Sequence, residues 1–315
     1  MSSALAPIPE NERRRALLAL FTVQVLFSTF PVCGKLALAE IAPMALAALR
    51  AVTGAVFLTL AVKVFLPEEK PFDAGDRKAL AGLAAIGIVA NQVLFISGLA
   101  RTTAANATLL TAGVAVFAVL AAWLLFGERP SPRKLLGIPI SIAGIAFLVG
   151  SSVALGSRGF VGDGLIVANG ICYAVFLVTS RGILARRNAL AVTASLFRWA
   201  CLPIVLLGLP DLLEVRPAEL SGKAVFGILG VLVFSTLLSY GLNAWALARV
   251  GSSTTAIFMY VQPVLATTWA FLFLGERPGP KLFVAGALIL AGVALATWPA
   301  RPQTIEGKAS GLPNR

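Results

Sequence analysis

The sequence contains no histidine, and only 13% of its 315 residues carry a charge. The missing histidine removes the commonest metal ligand and proton shuttle of proteins. Three cysteines, Cys33, Cys172 and Cys201, form an odd set without paired spacing, which argues against a disulfide framework or a zinc site. We therefore expect no metal and no cofactor.

Apolar residues dominate what remains, since 58% of the chain is hydrophobic and the mean hydropathy is +0.89. Soluble chains need far more polar surface, so the composition predicts a polytopic membrane protein. About 20 apolar residues cross a hydrocarbon core of about 30 Å, and ten such stretches are present. They lie at 16–36, 43–64, 79–99, 103–126, 133–151, 162–182, 189–208, 223–247, 252–274 and 281–298.

The cations are distributed unevenly among the connections. Ten spans place both termini on one side, which carries seventeen of the flanking Lys and Arg residues against seven on the other. Because cytoplasmic loops carry the cation excess, we expect a multi-pass protein of the cell inner membrane with both termini cytoplasmic. The net charge of +12 is then a topology signal, and no nucleic-acid partner is expected.

The run Gly-Glu-Arg-Pro occurs twice, at 127–130 and 275–278. At the same offset of 148, residues 91–150 and 239–298 share 16 identities in 60 pairs. Chance would give about 5, so the chain contains an internal repeat. Each copy has five helices, an odd number, so the second copy enters the membrane from the opposite face. We predict an all-α membrane protein with ten transmembrane helices in two inverted five-helix repeats, at 16–151 and 162–298, between tails at 1–15 and 299–315.

These repeats, the Gly-Glu-Arg-Pro run after the fourth helix of each, and the pairs Ala143-Gly144 and Ala291-Gly292 resemble the EamA family of the drug/metabolite transporter superfamily. The resemblance covers about residues 15–300. It implies export of small molecules, with amino-acid exporters of the YddG type as the nearest kind. Family members also carry sugars, nucleotide sugars, triose phosphates and drugs, so the motifs do not name the substrate.

Mechanism and partners follow from the same pattern. An inverted repeat has two similar arrangements, one open to each side, which is the basis of alternating access. No Asp or Glu lies near the middle of a span, whereas proton-coupled carriers place a carboxylate or histidine there. We expect facilitated transport in a monomer or weak homodimer, with a small metabolite and the bilayer as partners.

An enzyme is not expected, because the spans lack an activated nucleophile, a carboxylate pair and metal ligands.

Polar side chains at mid-membrane depth mark the candidate substrate cavity, because such groups are costly in lipid and usually face the bundle interior. The alternative for each is a hydrogen bond that holds two helices together. Asn91 aligns with Ser239 and Gln92 with Tyr240 across the repeat. The full set is Gln24, Ser28, Asn91, Gln92, Tyr173, Ser239, Tyr240, Asn243, Tyr260 and Gln262.

Arg50 and Arg198 are the cations that lie well inside predicted spans, at equivalent repeat positions. Either is a candidate contact for a carboxylate or phosphate, and the alternative is snorkelling to the interface. If both line the cavity, a carrier of anionic metabolites such as phosphorylated sugars is the alternative function. Pro263 should bend the ninth helix, either as a hinge or without a role.

The Gly-Glu-Arg-Pro runs are interpreted mainly as turns, in which glycine ends the helix in a left-handed conformation and proline blocks its continuation. Small residues along the fifth and tenth helices permit close helix contact, within the chain or between chains. They are Gly137, Ser141, Gly286, Ala291 and Gly292.

Overall fold

The computed structural model describes residues 10–152, 156–243, 245–246, 258 and 261–297. Within these ranges the chain is helical and contains no strand. The helices in chain order are α1 (Glu10–Ala37), α2 (Pro43–Phe65), α3 (Ala74–Leu99), α4 (Ala104–Phe126), α5 (Pro132–Ser151), α6 (Ser157–Thr179), α7 (Ala189–Glu214), α8 (Gly222–Asn243), α9 (Gln262–Leu274) and α10 (Pro280–Thr297).

Nine of these helices, all except α9, are long and apolar enough to span a membrane in the part of the chain that is described. The all-α membrane fold is therefore confirmed. Nine predicted stretches coincide with the nine helices. The remaining stretch, 252–274, lies partly outside the described residues, and only its last 13 residues form the helix α9.

Local signals set the ends of several helices. The side chains of Asp73, Thr103 and Ser221 accept hydrogen bonds from backbone N–H groups three residues later, as N-caps do. Gly127 and Gly275 end α4 and α9 in the left-handed conformation, with φ of 69° and 66°. The predicted turn in both Gly-Glu-Arg-Pro runs is thus confirmed.

Two close helix pairs form the flanks of the bundle, α2 with α7 and α5 with α10. A Cβ placed on Gly137 would lie 2.5 Å from the carbonyl oxygen of Gly292, and one on Gly208 would lie 2.3 Å from that of Met44. Larger residues would push these helices apart. The small residues of α5 and α10 therefore make their contact within the chain.

Both repeats contain a π-helical segment at equivalent positions. Ala85–Ala90 lies within α3 and Gly230–Leu238 within α8, and shifting the first by 148 residues gives 233–238. π-helical turns are rare and occur often at functional sites. Each segment ends immediately before one of the predicted polar pairs, Asn91-Gln92 or Ser239-Tyr240.

Candidate substrate-binding site

Arg50 lies inside the bundle, with 8% of its surface exposed. Its Nε donates a hydrogen bond to Oγ1 of Thr236 at 3.2 Å, and its Cζ lies 4.6 Å from the centroid of the Phe30 ring. The phenol of Tyr240 interacts with the same guanidinium. No carboxylate among the described residues forms an ion pair with it. A buried cation without an anionic partner is costly, so this site suits an anionic ligand group.

A cluster of aromatic rings from four helices lies beside this guanidinium. Phe30 stacks on Phe95 with centroids 5.0 Å apart. Tyr240 meets the edges of Phe27 and Phe197 at centroid distances of 5.8 and 5.5 Å. Apolar walls around a few oriented polar groups are typical of small-molecule sites. The arrangement therefore has the chemistry of a pocket for a small solute with one anionic group.

Gln92 supplies a second polar group without a partner. It is 2% exposed, and neither atom of its amide is hydrogen-bonded within the described structure. It lies three residues before Phe95, so both side chains project from the same face of α3. A buried unpaired polar group costs about 1–3 kcal/mol. Its donor and acceptor are therefore available to a ligand beside the aromatic cluster.

Thr236 lies in the π-helical segment of α8 and Ser239 directly follows it, and both hydroxyls bond to carbonyls of their own helix. Thr236 Oγ1 donates to the carbonyl of Val231 at 2.9 Å, and Ser239 Oγ donates to that of Phe234 at 2.7 Å. Both bonds reach back five residues, as the wider π-helical spacing allows. Ser239 is fully buried, and its hydroxyl proton is already used within the helix.

Two other predicted site residues lie at contacts between helices. Ser28 accepts a hydrogen bond from Nε1 of Trp269 at 2.9 Å and so joins α1 to α9. The carbonyl of Asn91 accepts from Nδ2 of Asn169 at 2.8 Å and joins α3 to α6. The bond of Ser28 is of the kind that holds two helices together, whereas the bond at Asn91 uses its backbone carbonyl, so the role of the Asn91 side chain stays a prediction.

The remaining predicted residues are more scattered. Gln24 is 3% exposed, Tyr173 stacks on Phe176 at 5.7 Å, and Asn243 is half-buried. Tyr260 lies outside the described residues. Gln262 begins α9, and Pro263 lies in its first turn, where proline is tolerated. Residues 259–260 just before this helix lie outside the described ranges, so the hinge stays a prediction.

Arg198 is exposed, unlike Arg50, although the two residues align across the repeat. It lines a surface pocket of about 580 Å³ between α2, α7 and the connection that follows α2. The structure therefore does not bring the two arginines into one site.

A buried polar cluster around one acid, Asp163, lies outside the predicted set of site residues. Asp163 is the second residue of the predicted stretch 162–182, whereas α6 begins at Ser157, so Asp163 lies within the helix and is fully buried. The hydroxyls of Thr102 and Ser152 donate to its carboxylate, and Nδ2 of Asn106 donates at 3.1 Å. The available signal was an acid within the otherwise apolar stretch 162–182.

The second Gly-Glu-Arg-Pro loop closes the same end of the bundle. Glu276 accepts hydrogen bonds from the backbone N–H groups of Ala104 and Ala105 at 2.8 and 3.1 Å. A carboxylate is favourable at this position because the N-terminus of α4 carries partial positive charge. Lys35 interacts with Glu276 and donates to the carbonyl of Thr102 at 2.8 Å.

In the first Gly-Glu-Arg-Pro loop, the equivalent glutamate has a different partner. Glu128 pairs with Arg181 at 2.8 Å, and their side chains are 55% and 54% exposed. Lys35 and Arg181 occupy equivalent positions near the ends of α1 and α6. Each glutamate therefore interacts with the cation of the other repeat.

Comparison with known proteins adds a family and several relatives. The EamA-like transporter family matches the chain twice, over residues 14–150 and 160–298. A probable terminal-alkyne amino-acid exporter of Streptantibioticus cattleyicolor is 32% identical over 229 residues, which cover 70% of this chain and 73% of that protein. The threonine/homoserine exporter RhtA of Escherichia coli K12 is 28% identical, covering 54% of this chain and 56% of RhtA.

An uncharacterized transporter of Archaeoglobus fulgidus is 28% identical, over 69% of this chain and 75% of its own length. One solved crystal structure superimposes with a TM-score of 0.62 over 92% of this chain and 99% of that chain. At 21% identity, this last likeness concerns the fold alone.

Proposed function

The chain belongs to the EamA-like transporter family, and we propose that it exports amino acids and similar small polar metabolites across the inner membrane. Two of its relatives are named as amino-acid exporters, which supports this substrate class. Both termini are assigned to the cytoplasm by the excess of cations on that side.

The observation that carries the proposal is the buried, acid-free environment of Arg50. A guanidinium binds a carboxylate through two parallel hydrogen bonds. The free amide oxygen of Gln92 offers an acceptor for an ammonium group, and the rings of Phe30 and Tyr240 form apolar walls. These groups together match the two charged ends of an amino acid.

Phosphorylated sugars are the alternative substrate class, and the surroundings of Arg50 favour them less. A phosphate of nearly two negative charges is usually bound by several cations. Arg198, the second candidate, is exposed in a separate pocket. One buried guanidinium balances one carboxylate better than it balances a phosphate.

Transport is proposed to occur by alternating access in two inverted five-helix repeats. The paired family matches, the equivalent π-helical segments, the ion pair of Glu128 with Arg181 and the electrostatic attraction between Glu276 and Lys35 support this symmetry. The end that contains Glu276 is the closed one in this conformation. Binding of the solute from the opposite end would then precede opening here.

The driving force is proposed to be the solute gradient. Asp163 is buried near the start of α6, away from the middle of the span, and Thr102, Asn106 and Ser152 already donate hydrogen bonds to its carboxylate. In proteoliposomes, flux should therefore respond to the amino-acid gradient and not to an imposed pH gradient. Stoichiometric proton movement with the solute would overturn facilitated transport.

The substrate assignment is tested by counterflow of labelled amino acids in proteoliposomes. Arg50→Lys keeps the charge and loses the paired hydrogen bonds, so uptake should fall by about tenfold to a hundredfold. Arg198→Lys, at the equivalent repeat position, should transport like the unchanged protein. A mixed panel of amino acids, sugars and phosphorylated sugars identifies the class. Preference for phosphorylated sugars, or full activity of Arg50→Lys, would contradict the proposal.

A further inference from the structure

A basic pocket lies outside the candidate substrate site, where α2 and α7 meet the connection between α2 and α3. Its volume is about 580 Å³. Four cations line it, from the end of α2, the connection, the start of α3 and the middle of α7. These residues are Lys63, Lys70, Arg77 and Arg198.

The charge of this pocket is unbalanced. Within the ranges that the structure describes, none of the four cations belongs to an ion pair. Glu69 also lines the pocket, but it pairs with Arg187 at 3.3 Å. The pocket therefore attracts an anion from outside the chain.

Arg187 holds the part of the pocket wall that the connection between α2 and α3 forms. Its guanidinium donates to the carbonyl oxygens of Lys70 and Pro71, lies 4.3 Å from the centroid of the Phe72 ring, and faces Asp76 at 3.9 Å. The connection is thus held in place before any ligand binds. Preorganisation of this kind lowers the entropic cost of binding.

The outer wall of the pocket is apolar and exposed. Trp199 lines it and is 46% exposed, and tryptophan is enriched at the depth of lipid headgroups. Further along the two helices, Val56, Leu60, Leu202 and Leu206 are each more than half exposed. A hydrophobic surface therefore continues from the basic pocket toward the bilayer core.

We propose that this pocket binds the headgroup of an anionic phospholipid. The phosphate contacts the four cations, and the acyl chains lie along the exposed apolar residues of α2 and α7. Basic pockets between transmembrane helices have the charge and depth for such headgroups. A soluble phosphate would use the cations and leave Trp199 and the apolar surface without a role.

The test is lipid binding to the delipidated full chain in detergent, followed by native mass spectrometry. Phosphatidylglycerol should bind at least tenfold more tightly than phosphatidylcholine with the same acyl chains. Each cation near an anionic surface contributes about fivefold, so Lys63→Gln/Lys70→Gln/Arg198→Gln should weaken phosphatidylglycerol binding about a hundredfold. The matched control, Lys78→Gln/Arg129→Gln/Arg133→Gln, removes three exposed cations outside the pocket and should bind normally.

Two further measurements separate the possible outcomes. If inorganic phosphate or glycerol phosphate displaces the lipid at equal concentration, the site binds soluble anions and the proposal fails. Equal binding of the two lipids, or normal binding by the pocket variant, overturns it as well. If the triple variant does not fold, Lys70→Gln alone should lower affinity about fivefold, while Arg198→Lys should retain it.

Discussion

The two Gly-Glu-Arg-Pro loops share a backbone conformation and differ in the partners of their glutamates. Gly127 and Gly275 have nearly the same φ, 69° and 66°. Glu276 is half-buried and accepts two backbone hydrogen bonds from the start of α4. Glu128 is exposed and pairs with an exposed arginine. The motif alone therefore determines the turn, whereas the surrounding helices determine the partner of its carboxylate.

The end that contains Glu276 is tightly packed. Lys35 binds the carbonyls of Leu99 and Thr102, and the Asp163 cluster lies beside this connection. Residues 247–257, which align with 99–109 across the repeat, lie outside the described ranges. If access alternates as proposed, the duplicated sequence supplies two equivalent closures of which one is engaged at a time.

The largest expected effect is on folding stability at the end that contains Glu276. Asp163→Ala removes the common acceptor of Thr102, Asn106 and Ser152. We expect a loss of about 3 kcal/mol in the free energy of unfolding, because buried donors without acceptors cost about 1–3 kcal/mol each. Denaturation in sodium dodecyl sulfate with mixed micelles measures it. Asp163→Asn keeps the shape and should lose about 1 kcal/mol; equal losses would contradict a role for the carboxylate.

The second largest effect is expected on local opening of the end that contains Glu276. Cys33 is 3% exposed and lies two residues before Lys35, so it is a native probe of this region. In a protein with the other two cysteines changed to serine, Glu276→Ala should speed maleimide labelling about fivefold, since losing a helix cap costs about 1 kcal/mol. Glu128→Ala is the matched variant and should label at the original rate. Equal rates in both variants would remove the distinction between the ends.

Much of this architecture could be predicted from the sequence, because the signals are local. Apolar runs of membrane length, N-cap residues and glycine before proline determine helices and their ends without reference to distant residues. The prediction of an anion contact at Arg50 also rests on a local signal, because a cation inside an apolar run is costly and usually marks a functional site. Its aromatic neighbours, however, come from helices distant in sequence.

The rotation of each helix about its axis could not be predicted. Arg50 and Arg198 occupy equivalent repeat positions, yet one is buried and the other exposed. Both α2 and α7 are apolar all round, so periodicity does not identify a buried face. The cluster around Asp163 was missed for a related reason, because its three donors come from two other helices and from the end of a connection.

A smaller effect is expected from Glu40, which links the α1–α2 connection to the start of α8. Ser221 donates to its carboxylate from Oγ at 2.5 Å and from its backbone N–H at 2.8 Å. These bonds lower the pKa of Glu40 below its ordinary value of 4.5. A lowered pKa stabilises the folded state above the ordinary value, and this contribution is lost as pH falls through the folded value.

Thermal unfolding between about pH 6 and pH 3 should therefore show a shallower acid destabilisation in Glu40→Gln than in the unchanged protein. Glu68→Gln, in the connection after α2, controls for the loss of one acidic group. If both variants lose stability with acid as steeply as the original, the hydrogen bonds to Ser221 do not link protonation to folding.

The smallest effect belongs to the exposed ion pair at the other end. Arg181→Ala removes the partner of Glu128, but both side chains are more than half exposed. Solvent-exposed ion pairs contribute about 0–1 kcal/mol, so the free energy of unfolding should change by less than about 0.5 kcal/mol. The comparison variant is Lys35→Ala, which removes hydrogen bonds to two backbone carbonyls and should cost more. A larger loss for Arg181→Ala than for Lys35→Ala would mean that the exposed end is the one closed in solution.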